Sequence, residues 1–240
     1  MSPGWVACDR GRRHLADVPV HEERPTPGVL LAESLREGAV VAFWRTLLLT
    51  VEVDPSRVER RLAAGEIRCP TCAGALSPWG WARSRVLRGF AATVLRVRPR
   101  RAVCPGCQVT HVLLPVAALS RRADLAEVVG AALTAKAIGG GLRSIAITLG
   151  RHVDTVRGWL RRFTAHADRL RVVFTVLLVD TGPDPQVPAE SGSPLADAVA
   201  AILGARAAMA SRWPVLGKVP PWWIASAVTG GRLIAPAITL

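Results

Sequence analysis

Tyrosine is absent from these 240 residues, and lysine occurs only at Lys136 and Lys218, so the 31 basic residues are almost all arginine. Long apolar runs are missing as well. The longest, over 39–53, is interrupted by Arg45, Thr46, Thr50 and Glu52, which makes it too short and too polar to span a bilayer. The opening Met1-Ser2-Pro3-Gly4-Trp5 lacks the basic segment and apolar run of a secretory leader. These absences lead to the expectation of a soluble, cytoplasmic chain with no membrane partner. Half the residues are apolar, enough to bury a core.

Acidic residues are also missing from one long stretch. Residues 67–123 hold ten arginines and no aspartate or glutamate, and 142–171 hold seven arginines against two aspartates. Elsewhere the signs nearly cancel, with nine basic and ten acidic residues over 1–66 and four of each over 172–240. The formal charge of +13 is therefore confined to 67–171. Arginine-rich codon usage would spread the excess evenly. A localised basic block attracts polyanions by counterion release, which points to nucleic acid and to a nucleoid-associated protein.

Periodicity divides the chain into six segments of an α+β fold. Residues 1–38 carry scattered charges and prolines and read as a flexible leader. Residues 39–65 hold a short strand over 47–53 and a helix capped by Asp54, with Pro55 at its first position and Val58, Leu62 and Ile67 as its apolar face. Within 66–118, β-type runs over 79–87 and 93–103 are joined by Arg88-Gly89-Phe90-Ala91-Ala92, a hairpin connection. Leu95 and Val97 alternate there with Arg96 and Arg98, so one face is apolar and the other cationic. Residues 119–171 switch to helical spacing, and the first helix, over 124–138, turns Leu125, Val128, Val129, Ala132 and Leu133 inward. Pro183, Pro185, Pro188, Gly192 and Pro194 mark a linker over 172–194, and 195–240 form a helical tail with helices over 193–212 and 222–228.

Four of the five cysteines form two matching turns, Cys69-Pro70-Thr71-Cys72 and Cys104-Pro105-Gly106-Cys107, at the two ends of the hairpin. Each tight turn aims backbone N–H groups at sulfur, so one turn supplies two thiolates with little strain. Two such turns suit a tetrahedral structural Zn2+. A small basic hairpin buries little apolar surface, and the metal would contribute its folding energy directly. Spacing alone also admits a four-thiolate iron–sulfur cluster. Disulfides do not suit a cytosolic chain, and a redox C-x-x-C would occur once, near a βαβ unit. Cys8 has no partner and reads as an incidental thiol. His111 reads as a strand residue or, less simply, as a substitute ligand.

The segment 142–160 has the spacing of a helix-turn-helix. Ala146 is small where two helices cross, Gly150 permits a tight turn, and Val156 anchors the second helix on the first. Asp154 or Thr155 is expected to cap that second helix. Val156, Trp159, Leu160 and Phe163 make one buried stripe, opposite Arg157, Gly158, Arg161 and Arg162. A helix apolar on one side and cationic on the other suits a major groove. The expected contacts are Arg157 and Arg161 on base edges and Arg151, Thr155 and Arg162 on phosphates, with the hairpin's Arg83, Arg85, Arg96 and Arg98 adding to the surface.

A cysteine turn, a basic hairpin, a second cysteine turn, a hydrophobic strand and a helix-turn-helix together resemble the DNA-binding head of insertion-sequence transposases. The combination is also similar to a group of uncharacterised bacterial proteins that carry the same two modules without a catalytic domain. The resemblance covers 66–167 and implies a zinc ribbon and double-stranded DNA as partner. It breaks off afterwards, because such transposases continue into a domain with three metal-binding carboxylates. Beyond Arg171 the acids are Asp180, Asp184, Glu190 and Asp197, three of them in or beside the Pro-rich stretch. Two-metal chemistry needs carboxylates held on a folded sheet. The chain is therefore expected to bind DNA without catalysis, as a transposon-associated accessory protein, a regulator derived from one or a truncated transposase remnant. The alternative is a protein-interaction adaptor built on the zinc ribbon. The tail, with Trp222 and Trp223, either presents an interface for a homodimer or a recombinase partner, or completes the core around Trp159 and Phe163. Completion of the core is the expectation.

Overall fold

The computed structural model describes residues 50–235. The leader over 1–38, Cys8, the start of the 47–53 strand and the last five residues lie outside them. Among the described residues, seven α-helices and two small sheets make a mixed α+β fold.

Strand β1 (Thr50–Val51) pairs in parallel with β6 (Thr110–Pro115), which runs antiparallel to β5 (Arg100–Val103), and β5 to β2 (Ser77–Trp81), giving the sheet order β1-β6-β5-β2. Helix α1 (Pro55–Ala63) starts as expected, its Asp54 side chain accepting from Ser56 N–H at 2.9 Å. Val58 and Leu62 are buried on α1, and Ile67 is buried just after it. They share one apolar cluster with Val51, Leu76, Ala102, Leu113, Cys69 and Cys104. Residues 50–65, the described part of the expected unit 39–65, therefore join the expected unit 66–118, because β1 completes the sheet that carries the cysteines.

The expected hairpin is present but bent. Its lower half is β2–β5; its upper half is β3 (Arg85–Arg88) paired with β4 (Val94–Val97) in a separate two-stranded sheet. The ladder breaks where Pro99, which has no N–H, can only accept, from Ala82 at 2.8 Å. Beyond the bend the hairpin leaves the first cluster and joins a second one. Leu87 is 1% exposed within the helical core, with Leu95 and Val97 packed against it.

That second core is built by α2 (Ala126–Ala137), α3 (Leu142–Leu149), α4 (Val153–Thr164), α5 (Ala167–Thr181), α6 (Pro194–Arg212) and α7 (Pro221–Val228). Leu125, Val128, Val129, Ala132 and Leu133 turn inward as expected. The linker over 172–194 needs correction. Residues 172–181 continue α5, with Phe174, Leu177 and Leu178 buried, because they contain no proline or glycine and their apolar residues recur at helical spacing. Only 182–193 are irregular.

The tail completes the core. Helix α6 makes its most extensive contact with α5 and also packs on α2 and α7. Among the described residues α6 is the one helix long and apolar enough to cross a membrane, and here it serves as a central core helix. Trp222 is buried, and Trp223 is half-buried, its indole N–H donating to Glu127 Oε1 at 2.7 Å. A Cβ on Gly130 would stand 2.0 Å from Trp222 Cγ, so α2 can carry only glycine beneath that ring.

Candidate metal centre and basic surface

The two cysteine turns repeat one backbone plan. Cys69 N–H donates to Gly74 O at 2.8 Å and Cys104 N–H to Val109 O at 2.9 Å, five residues on in each case. Ala73 and Gln108, each four residues after the first cysteine of its pair, both take the left-handed conformation at φ 59° and donate back to that cysteine's carbonyl. The β2–β5 pairing then sets the two turns side by side. All four sulfurs lie within 4.8 Å of one another, Cys72 Sγ 3.3 Å from Cys104 Sγ and Cys69 Sγ 3.6 Å from Cys107 Sγ. A tetrahedron of metal–sulfur bonds near 2.3 Å has edges of about 3.8 Å. The donor set and its spacing fit one tetrahedral ion. Cys69, Cys72, Cys104 and Cys107 thus form a possible metal-binding site.

Backbone N–H groups point at the sulfurs as the sequence suggested. Burial works against the Cys69 thiolate, but the N–H groups of Cys72 and Thr71 and the His111 ring hold the thiol at about 7. At Cys104 the Cys107 N–H leads and lowers the thiol to about 6. The Val109 N–H favours the Cys107 thiolate, yet burial and three neighbouring sulfurs push that thiol up to about 12. The Gly74 N–H favours charge at Cys72, and the Cys104 sulfur with burial turns the balance upward. Four sulfurs this close cannot all be thiolates without a cation between them. His111 is a buried residue of β6 whose Nε2 lies 3.4 Å from Cys69 Sγ, a neighbour of the cluster rather than a fifth member.

Helices α3 and α4 meet through Gly150, which is left-handed at φ 60° and lets Arg151 N–H return to Ala146 O at 2.9 Å. Ile145, Ala146 and Leu149 of α3 and Val156, Trp159 and Phe163 of α4 are buried together, with Leu160 at the margin. The cap of α4 is His152, whose Nδ1 accepts from Asp154 N–H at 3.3 Å, rather than the expected Asp154 or Thr155. The helix begins two residues earlier than a cap at Asp154 implies, which places the imidazole at the capping position.

The expected contact residues separate into groups. Arg157 and Arg161 are exposed on one face of α4, Arg157 paired with Asp154 one turn earlier. Thr155 is half-buried. Arg162 is half-buried, donating to Gly158 O at 3.0 Å. Arg151, expected on phosphate, is committed inside the protein. Its side chain is 8% exposed, and it donates to Asp124 Oδ1 at 2.6 Å, Gly89 O at 2.6 Å, Leu149 O at 3.0 Å and Gly150 O at 3.2 Å. Arg83, Arg85, Arg96 and Arg98 are all exposed. Register puts them on two faces, though, since Arg96 pairs with Val86 while Arg85 pairs with Val97, which lies against the core.

Two residues without a role in the sequence reading, Arg100 and Asp124, prove structural. Arg100 stacks 4.7 Å from the Trp81 ring and pairs with Glu59 at 2.7 Å. Asp124, 3% exposed, bridges Arg88 at 2.9 Å and Arg151 at 2.6 Å. Asp124 carries a signal that could have been read, being the first acid after 57 residues with none. No known protein family, no curated protein and no solved structure matches the chain.

Proposed function

We propose that this chain binds double-stranded DNA sequence-specifically, through a helix-turn-helix over α3 and α4 held beside a zinc ribbon. The observation that carries the reading is α4 itself. Val156, Trp159 and Phe163 fix one side in the core, and Arg157 and Arg161 stand exposed on the other. A helix so divided presents guanidinium forks to the guanine edges of a major groove. Confinement of the charge surplus to 67–171 adds the attraction to phosphate. Zinc is the ion best suited to four thiolates, and with no ligand position open to water it serves shape alone.

The proposal includes no catalysis. Asp180, Asp184 and Glu190 lie at the end of α5 or in the irregular segment after it, and Asp197 is engaged by Ser191 at 2.6 Å. The biological role that fits is that of a mobile-element accessory protein or a derived regulator. The competing reading, a protein-interaction adaptor, has the exposed Trp79 and Phe90 in its favour. Selection from random duplexes followed by affinity measurement across a salt series separates the two. DNA binding predicts one enriched sequence and affinity falling steeply with salt. Flat, near-zero binding throughout supports the adaptor.

A further inference from the structure

The tip of the β3–β4 hairpin lies beside the start of α4. Gly89, the first residue of the turn, accepts from Arg151 Nη2 at 2.6 Å, and Arg151 stands two residues before the first residue of α4. The contact is not incidental. Arg88 N–H donates to Ala123 O at 2.7 Å and its carbonyl accepts from Leu125 N–H at 3.0 Å, so β3 continues into the loop that leads to α2. Asp124 then holds an arginine from each side, Arg88 of the hairpin and Arg151 of the turn between α3 and α4. Leu87 is sealed in the helical core, so the hairpin is fastened to the same core as α4.

The outer face of this tip carries two arginines beside the exposed Val86 and Val94. The pairs Val86 with Arg96 and Arg88 with Val94 put Arg88 and Arg96 on the same face, as diagonal neighbours roughly 7–8 Å apart. Arg96 has no ion-pair partner among the described residues, and only Nη2 of Arg88 is drawn to Asp124, leaving that side chain 53% exposed. No acid lies in the hairpin to repel a phosphate.

We propose that the β3–β4 tip is a second contact to double-stranded DNA, with Arg88 and Arg96 gripping backbone phosphates that border the groove entered by α4, at a spacing fixed by Asp124. The inference rests on the reading of α4 as the DNA-binding helix. It assigns the hairpin to positioning and α4 to sequence choice, so the footprint is one continuous patch rather than two tethered sites.

The test uses the full, zinc-loaded chain and a duplex selected by it, with Arg96→Ala compared to Arg212→Ala, which removes the same charge from the exposed end of α6. Arg96→Ala should flatten the salt dependence by about one unit of slope, so that the loss between 50 and 200 mM salt shrinks by roughly threefold. It should weaken selected and random duplexes alike, while Arg212→Ala does neither. Phosphate ethylation interference should place the Arg96-dependent phosphates within about one groove width, near 12 Å, of the bases that depend on Arg157. Equal effects from the two substitutions, no effect of Arg96→Ala, or Arg96-dependent phosphates a full turn away would each overturn the inference and leave α4 binding intact. A wild-type chain that binds no duplex would overturn the parent reading, and this one with it.

Discussion

Removing the Asp124 carboxylate should show how the basic hairpin is fastened to the helices. Asp124→Ala strips the partner from Arg151, whose side chain is 8% exposed, and from Arg88, which is 53% exposed. The Arg88 share is small, about 0–1 kcal/mol, because water solvates that guanidinium once the pair is gone. Arg151 decides the outcome. Breaking a buried pair from one side costs about 3–5 kcal/mol, since the remaining charge is left uncompensated. Three carbonyls, of Gly89, Leu149 and Gly150, still accept from Arg151, which favours the lower end, about 3 kcal/mol. That is a large share of the roughly 5–15 kcal/mol typical of a folded domain. Urea unfolding of the zinc-loaded protein, followed by tryptophan fluorescence, measures it. The double variant Asp124→Leu, Arg151→Met removes both buried charges and should recover more than half the loss. A single substitution costing under about 1 kcal/mol would reduce the pair to a surface contact. A double variant worse than the single one would show that the charges act separately, and either result refutes the clamp.

Metal uptake should be coupled to protons. At pH 7 the Cys104 thiol, at about 6, is mostly ionised, Cys69 at about 7 is half ionised, and Cys107 at about 12 and the raised Cys72 are protonated. Zinc binding should therefore release about two to three protons per ion and tighten as pH rises, because each ligand must lose its proton; release of four in a weakly buffered indicator assay would show that the N–H groups do not poise the sulfurs. Cys69→Ser should lower metal content by elemental analysis and unfold the hairpin, and unchanged metal content would refute the four-sulfur site. Gly130→Ala should lower the thermal midpoint, costing about 1–3 kcal/mol through the clash with Trp222 despite the better helix propensity of alanine. A raised midpoint would show that the ring does not rest on α2. Arg157→Ala should weaken the selected site by about 1–3 kcal/mol and relax one base position, and equal loss on every duplex would limit Arg157 to phosphate.

Local spacing made the cysteine turns and most helices legible, because a turn, a cap or an amphipathic stripe is written within a few residues. Asp54 and Pro55 starting α1, Ser193 capping α6 and the burial of Phe163 all follow from such short patterns. The misreadings have two sources. The prolines over 183–194 suggest a linker reaching back over 172–181, where Phe174, Leu177 and Leu178 carry the helical period instead. Partnerships over long separations leave no local trace. Asp124 reaches Arg88 across 36 positions and Arg151 across 27, so an arginine in a basic turn looked free when it was buried. The division of the hairpin into two sheets was legible in principle from Pro99, whose missing N–H interrupts any ladder through it.

The basic block is consequently less available than its formal charge suggests. Arg100 is paired with Glu59, Arg122 donates to Ile234 O at 3.3 Å and Arg151 is enclosed, whereas Arg88 gives one nitrogen to Asp124 and stays 53% exposed. Counterion release counts the phosphates neutralised, not the arginines encoded. Were the whole +13 engaged, the slope of log affinity against log salt would approach about −12. The groups that the geometry offers to DNA are Arg88, Arg96, Arg157, Arg161 and Arg162, and two of these are assigned to base edges. Three to five phosphate contacts give a slope of about −3 to −5. A measured slope steeper than about −10 would mean that the exposed arginines on both faces of the hairpin wrap the duplex, and the single-faced geometry argued from the Arg96 and Val86 register would fail.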